Sequence, residues 1–247
     1  PVFCEPFRQW VLEDSFSESG RPPLDMLENV KFVPDVTPYE FMKIRILNGG
    51  HASLCYPSAL LDIPYVHESM QHPTIAAFLD CLEHSEIIPT VPPVPDTVLV
   101  EYWDTIAKRF SNPTLKDTIG RNCYDGASRQ PKFIVPAIQD NLAAGRSVDG
   151  MALVSALWCR YCQGKTESGK EILPNDPQWD RLHALASSST KEASVSPKAW
   201  LEGLPDVYGA TVATSPVFIQ AFDKALTRIQ KDGVESAMKQ YVADCKK

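Results

Sequence analysis

The sequence has 247 residues, of which 44% are hydrophobic and 22% charged, and its formal net charge is −7. These values are typical of a globular protein with a substantial core. The acidic balance argues against binding to nucleic acid or to an anionic membrane surface. No apolar run approaches the roughly 20 residues of a membrane-spanning helix, and the N-terminal stretch lacks a secretory signal pattern. The seven cysteines are scattered and odd in number, which predicts reduced thiols in a cytoplasmic protein.

Residues 1–36 differ in pattern from the rest of the chain. Two short apolar runs, QWVLED and VKFVPD, are bounded by glycine and proline, and this arrangement is more typical of strands than of helices. From residue 37 onward the apolar spacing becomes helical. The sequence therefore predicts the strand-containing end of one domain at 1–36, followed by a helical domain at 37–247.

The first helix of this second domain has strong predicted boundaries. Thr37 as N-cap, Pro38 at the first helical position and Glu40 three residues after the cap match a capping box. Pro57 would lose a backbone hydrogen bond and clash with the preceding turn, so the helix is predicted to end near Tyr56.

Six further helices follow from apolar periodicity, and the predicted fold class is mainly α with many helices. A proline-rich stretch at 87–96 predicts a rigid connector, and the polar stretch at 165–180 predicts an exposed loop. The predicted helical segments are HPTIAAFLDCLEHS, TVLVEYWDTIAKRFS, FIVPAIQDNLAAG, VDGMALVSALWCRYCQG, SPVFIQAFDKALTRIQKDG and VESAMKQYVADC.

Polar residues of catalytic type are concentrated on the first helix. At about 100° per residue, Glu40, Lys43, Asn48 and His51 fall on one face. A lysine as possible base, an amide donor and an imidazole can together support the interconversion of an alcohol and a carbonyl. Lysine must first lose its proton, which burial under a ligand would make easier.

Two adjacent glycines interrupt the same helix. Gly49 and Gly50 each cost roughly 1 kcal/mol relative to alanine, so stability alone does not explain them. The sequence predicts that bare backbone here lets a ligand approach closely. The simpler alternative is a solvated polar face whose glycines serve contact between helices.

The spacing Lys43-x-x-x-x-Asn48-x-x-His51 resembles the signature of the polyol-specific long-chain dehydrogenase/reductase family, also called the mannitol dehydrogenase family. The likeness extends to residues 3–16, to residues 121–136 and to the helical remainder, and it is strongest to the fungal-type members that oxidise mannitol at carbon 2. The resemblance implies NAD-dependent interconversion of D-mannitol and D-fructose by hydride transfer, with lysine as general acid and base.

The resemblance also implies a role for each residue of the helix. Lys43 would take the hydroxyl proton of the polyol and return it when a ketose is reduced. Asn48 would hold the developing alkoxide together with a second asparagine from a nucleotide-binding domain. His51 would position the reacting oxygen, and Glu40 would lie on the proton path to solvent.

By the same resemblance, Arg121 would bind substrate hydroxyls, and Arg129 in the same segment is a second candidate. The substrate would be an unphosphorylated polyol or ketose, no metal would take part, and a monomer is favoured. The segment most similar to a zinc-binding motif is His67 to His72, but it has one residue more between its histidines than the zinc-protease motif.

The family's nucleotide-binding domain begins with a Gly-rich turn, but no G-x-G-x-x-G occurs in this sequence. The chain is therefore interpreted as a C-terminal portion, with 1–36 as the last strands of a Rossmann-type domain. NAD would be bound mainly outside it, and the portion alone would be inactive. Two alternatives remain: a relative that oxidises arabinitol or reduces a sugar acid, and a noncatalytic helical interaction domain.

Overall fold

The computed structural model describes residues 5, 7–17, 20–188 and 198–245, and the fold over these residues is mainly helical. This confirms the predicted fold class. Residues 3, 4 and 6 of the segment 3–16, which carries part of the family resemblance, lie outside the described residues. The helices are α1 Thr37–Met42, α2 Gly49–Leu60, α3 Val66–Gln71, α4 Pro73–Leu82, α5 Leu99–Phe110, α6 Ile119–Cys123, α7 Gly126–Phe133, α8 Val135–Ala143, α9 Asp149–Tyr161, α10 Trp179–Ser188, α11 Lys198–Glu202, α12 Pro205–Ala213, α13 Pro216–Asp232 and α14 Val234–Cys245.

Two short strands precede the helices, as predicted. Strand β1 (Trp10–Glu13) pairs in parallel with β2 (Val30–Val33), and a short 3-10 helix, Leu24–Met26, lies in the connection between them. Parallel strands need such a crossover, because a tight hairpin would make them antiparallel. Residues on both strands remain partly exposed.

The helical core is organised around α9. Eleven of its thirteen residues are buried, and it packs against α13, α2 and α14. Trp158 of this helix is fully buried, with its ring centroid 5.0 Å from that of Trp200 in an edge-on arrangement. Edge-to-face aromatic pairs of this kind add stability beyond the area they bury.

All six helical segments predicted after the first helix are confirmed, as α4, α5, α8, α9, α13 and α14. The helices missing from the prediction are α3, α6, α7, α10, α11 and α12, which have ten residues or fewer. Such short segments show too few turns for periodicity to reveal them. Every helix in the described part of the chain is too short or too polar to cross a bilayer.

The central helix begins without the predicted capping box. Helix α1 starts at Thr37, with Val36 in the N-cap position and no side-chain cap. The backbone N–H of Thr37 instead donates to Asp35 Oδ1 at 2.9 Å. Hydrogen bonding from the Thr37 side chain, and then from this N–H, lowers the pKa of Asp35. The prediction was wrong because a carboxylate two residues upstream takes the N–H first, as aspartate commonly does in turns.

The same helix also continues further than predicted, beyond Pro57 to Leu60. The missing N–H of proline typically costs a helix about 3 kcal/mol. Ten of the twelve residues of α2 are buried, so tertiary packing outweighs that loss. Between α1 and α2 the backbone forms a π-helical segment, Lys43–Asn48, so the whole run from 37 to 60 is helical.

Candidate functional site

The π-helical segment carries two of the predicted catalytic residues, Lys43 and Asn48. A π-helix closes its hydrogen bonds over five residues instead of four, so a wheel at 100° per residue does not apply across it. Lys43 and Glu40 are exposed, whereas Asn48 and His51 are half-buried. Among the described residues, none forms a side-chain hydrogen bond with Lys43 or Asn48. The structure therefore leaves these groups open, and their catalytic roles stay predictions.

The two glycines approach the protein's own chain, contrary to the prediction of ligand contact. A Cβ at Gly49 would lie 3.3 Å from the carbonyl oxygen of Phe133. One at Gly50 would lie 2.9 Å from Glu83 Oε1 and 3.3 Å from the ring of Phe110. Both glycines are buried, so their bare backbone serves close packing between helices.

His51 lies between an aromatic ring and a carboxylate. Its ring stacks on Phe110, with centroids 4.1 Å apart and planes inclined by 28°. Its Nε2 lies 3.6 Å from Asp117 Oδ2, and its side chain is 19% exposed. Burial lowers the pKa of His51 to about 4, although the Asp117 carboxylate opposes the shift. The imidazole is therefore neutral near pH 7, with one ring nitrogen as donor and the other as acceptor.

The two arginines predicted to bind substrate belong to the same network. Arg121 donates from Nε and Nη2 to the Asp117 carboxylate at 2.7–2.9 Å. Asn122 Nδ2 donates to the same carboxylate at 3.2 Å, and Arg129 Nη1 donates to the Asn122 carbonyl at 2.7 Å. The structure thus connects His51, Arg121 and Arg129 through Asp117 and Asn122.

A small cavity of about 80 Å³ opens beside His51, and its wall includes Arg109 and Asp117. Glu5 also lines this cavity and accepts hydrogen bonds from Arg109 Nε and Nη2 at 2.8–3.2 Å. The Arg109 guanidinium also lies 4.5 Å from the centre of the Phe7 ring. The segment that precedes β1 therefore forms part of the pocket wall.

A larger cavity of about 380 Å³ lies elsewhere, among α9, α13 and α14. It is lined in part by Glu86, Lys224 and Tyr241 and contains none of the predicted site residues. In the described part of the chain, no three His, Cys, Asp or Glu side chains gather in a group that could hold a metal ion. We therefore place the candidate site at the smaller cavity beside His51.

Sequence reasoning missed Asp117, Asn122 and Phe110. One signal was available, because Asp117 precedes Arg121 by four residues, a spacing typical of ion pairs at the start of a helix. The stack of His51 on Phe110 had no such signal, since 59 positions separate the two residues and only the tertiary fold brings α5 against α2.

Comparisons with known proteins agree with this architecture. A sequence profile of the family described as mannitol dehydrogenase C-terminal domain matches residues 35–230. The mannitol 2-dehydrogenase of Cereibacter sphaeroides is 51% identical over 98% of this chain and 49% of its own length. That of the fungus Aspergillus oryzae is 35% identical over 98% of this chain and 47% of its own length. The chain thus spans about half the length of the curated relatives that it matches.

Similarity to solved structures is equally extensive. The structure described as Pseudomonas fluorescens mannitol 2-dehydrogenase in ternary complex with NAD and D-mannitol is 36% identical, with a TM-score of 0.87, over 98% of this chain and 48% of that one. A D-sorbitol dehydrogenase in substrate-free form is 28% identical, with a TM-score of 0.77, over 93% of this chain and 46% of that one. The chain therefore belongs to the mannitol dehydrogenase family and carries its C-terminal domain.

Proposed function

We propose that the chain is the catalytic C-terminal half of an NAD-dependent mannitol 2-dehydrogenase that interconverts D-mannitol and D-fructose. The observation that carries the proposal is the position of His51, which lies on the same helical run as Lys43 and Asn48. Its neutral imidazole faces the Asp117 carboxylate, which in turn binds Arg121. The names of the similar proteins support the same activity and substrate. The two strands at 10–33 are interpreted as the last part of a nucleotide-binding domain.

The charge state of His51 favours different chemical roles for the different residues of the site. An imidazole whose pKa is about 4 binds protons too weakly to be an effective base near neutral pH. It can still fix the orientation of a hydroxyl by a hydrogen bond. We therefore assign the proton transfer to Lys43, the stabilisation of the alkoxide to Asn48 and the placement of the oxygen to His51. Glu40, exposed one turn before Lys43, relays the proton to solvent.

NAD, when bound, supplies the hydride acceptor. The junction between β2 and α1 does not fit its pyrophosphate, because it runs through Pro34, Asp35 and Val36 without a glycine. Pro38 also removes one backbone N–H from the start of α1, where an anion would otherwise find donors. We propose that a nucleotide-binding domain of the longer protein holds most of the cofactor.

The arginines of the site favour an uncharged polyol. Arg109 is paired with Glu5, Arg121 with Asp117, and Arg129 donates to a backbone carbonyl. A phosphate or carboxylate substrate is usually bound by unpaired cations in bidentate geometry. The remaining N–H groups of Arg121 and Arg129 are suited to hydroxyls. We expect mannitol to be oxidised far better than mannitol 1-phosphate.

The test measures NAD reduction by the full-length protein that contains this chain. Mannitol, sorbitol, arabinitol and mannitol 1-phosphate are compared as substrates, and fructose and a sugar acid are compared in the reverse direction. We expect mannitol and fructose to give the highest kcat/KM. A preference for the phosphorylated sugar or for the sugar acid would refute the proposed substrate, and no turnover of any polyol would favour a noncatalytic domain.

The same assay tests the base. Lys43→Ala is expected to lower kcat by at least the 10²–10⁴-fold typical of acid–base catalysis. Lys231→Ala, which removes an exposed lysine at the end of α13, is the matched control and should retain full activity. An equal and small effect of both substitutions would remove Lys43 from the mechanism.

A further inference from the structure

Backbone hydrogen bonds fix the position of Asp117 independently of the contacts of its side chain. The Val66 N–H donates to the Asp117 carbonyl at 3.0 Å, and the Ile119 N–H donates to the Pro64 carbonyl at 2.9 Å. Tyr65 and Thr118 form an antiparallel bridge between these two bonds. The loop before α6 is thus fixed to the connection between α2 and α3, and with it the origin of the Asp117 side chain.

The carboxylate of Asp117 then meets three side chains from two directions. Arg121 and Asn122 donate to it from α6, as described above, and His51 faces it from α2 at 3.6 Å. That distance exceeds a normal hydrogen bond, but catalytic hydrogen bonds in proteins without ligand are often long and shorten in the complex. The His51 and Asp117 side chains are only 19% and 21% exposed, so solvent screens the contact between these two residues weakly.

We propose that Asp117 is a positioning residue of the site, whose carboxylate orients both the His51 imidazole and the Arg121 guanidinium toward the polyol. The inference rests on the proposed function for its substrate. In this proposal Asp117, which also lines the cavity beside His51, acts on the polyol through these two side chains. No role was predicted for it from the sequence.

The consequences for its two partners differ. A carboxylate facing Nε2 of His51 favours the tautomer with its proton on that nitrogen, which leaves Nδ1 as an acceptor for a substrate hydroxyl. Phe110 covers one face of the ring and limits its rotation. Arg121 uses Nε and Nη2 on Asp117, which leaves Nη1 without a hydrogen-bond partner among the described residues and available to a second hydroxyl.

The charges around Asp117 make its own charge important. Arg109, Arg121 and Arg129 all lie close enough to disfavour a proton on His51, and the Asp117 carboxylate has the opposite effect. Replacement of the carboxylate by an amide would retain its size but remove this compensation. It would also give Arg121 a weaker acceptor, because hydrogen bonds between two charged groups are stronger than those to a neutral amide.

The experiment compares Asp117→Asn and Asp117→Glu with Asp104→Asn, which alters an exposed carboxylate on α5. In the full-length enzyme, we expect Asp117→Asn to raise KM for mannitol and lower kcat, each at least tenfold, and Asp117→Glu to recover part of the loss. Asp104→Asn should match the wild type. Unchanged kcat and KM in Asp117→Asn would overturn the proposal.

A second measurement does not depend on turnover. Nitrogen chemical shifts of the His51 ring report its tautomer, and we expect the Nε2-protonated form to dominate in the wild type but not in Asp117→Asn. An unaltered tautomer would contradict the proposal even in an active enzyme. If the protein oxidised no polyol, this readout would still decide the role of Asp117. If Asp117→Asn did not fold, Asp117→Ser, which also removes the carboxylate, would provide the same two measurements, with full activity and an unaltered tautomer as the contradicting result.

Discussion

Two glutamates in one π-helical segment, Glu83–Ile87, show how differently a buried carboxyl can be accommodated. Glu86 accepts hydrogen bonds from the backbone N–H groups of Gly150 and Met151 and from the Tyr241 hydroxyl, so it caps the start of α9. Glu83 is completely buried, and neither of its oxygens has a hydrogen-bond partner among the described residues. Burial, and to a lesser extent the Asp80 carboxylate, raises the pKa of Glu83 well above its usual value.

Glu83→Gln should therefore change how stability depends on pH. Glu83 stays neutral in the fold, whereas in the unfolded chain it ionises above about pH 4.5. From there up to the raised pKa, the wild type should lose about 1.4 kcal/mol of unfolding free energy per pH unit relative to the variant. Urea unfolding at several pH values between 5 and 8 measures the difference. The exposed Glu101→Gln is the control, and parallel curves for wild type and Glu83→Gln would show that Glu83 is ionised in the fold.

Candidate site residues could be selected from the sequence more readily than the contacts between them. His51, Arg121 and Arg129 were selected from the sequence, and the fold connects them. The residue between them, Asp117, was not selected, because only its spacing to Arg121 is visible in the sequence. Glu83 was also missed, since it sits within an ordinary helical pattern and its burial depends on α2 and α5.

The central helical run depends on close approach at its two glycines. A Cβ on residue 50 would meet Glu83 and Phe110, both of which are enclosed by the core. Alanine at position 50 would gain about 1 kcal/mol in helix propensity, but the overpacking would typically cost 1–3 kcal/mol. The packing cost should exceed the gain because the nearer neighbour, Glu83, is completely buried.

Gly50→Ala is thus expected to lower the free energy of unfolding by about 1–2 kcal/mol. It should also shift the Phe110 ring and so disturb the stack with His51. Gly120→Ala is the control, since a Cβ at that exposed position has no neighbour within 4 Å. Denaturant unfolding of both variants provides the comparison, and equal stabilisation by the two alanines would show that residue 50 has room.

Element boundaries were predictable where local rules decide them and not elsewhere. The amphipathic helices α5 and α13 follow directly from periodicity, and β1 and β2 from short apolar runs between turn residues. The end of α2 did not follow the local rule for proline, because burial of that helix outweighs it. The π-helical segment had no recognised signal, since its sequence, KIRILN, would also form an ordinary α-helix.

For the molecule as a whole, β1 and β2 have a consequence for the isolated chain. Parallel sheets normally contain several strands and are covered on both faces. Here the sheet has two strands over the described residues, and large apolar side chains around it remain exposed, namely Phe7, Trp10, Phe16, Met26 and Leu27. We infer that further strands of the longer protein extend this sheet and cover these residues.

The 247-residue chain alone should consequently show no measurable mannitol oxidation and only weak NAD binding. Circular dichroism, which should report a largely helical chain, separates this outcome from unfolding, and the full-length protein assayed in parallel is the positive control. The domain boundary between residues 36 and 37, which rests on the change from strand-like to helical sequence patterns, stays a prediction. Turnover by the folded chain alone would mean that these residues already form a complete site.

A π-helical turn, Lys43–Asn48, joins α1 to α2. A turn that closes over five residues holds one residue more than an ordinary turn, so α1 and α2 are offset in angular phase. A relative with a regular helix at this point would need a one-residue gap in the alignment, although both flanking helices would keep their lengths. Loss of a single codon here would rotate Glu40 relative to His51 and leave the core contacts of α2 in place. The segment is therefore a point at which one deletion can reorganise a binding face without dismantling the fold.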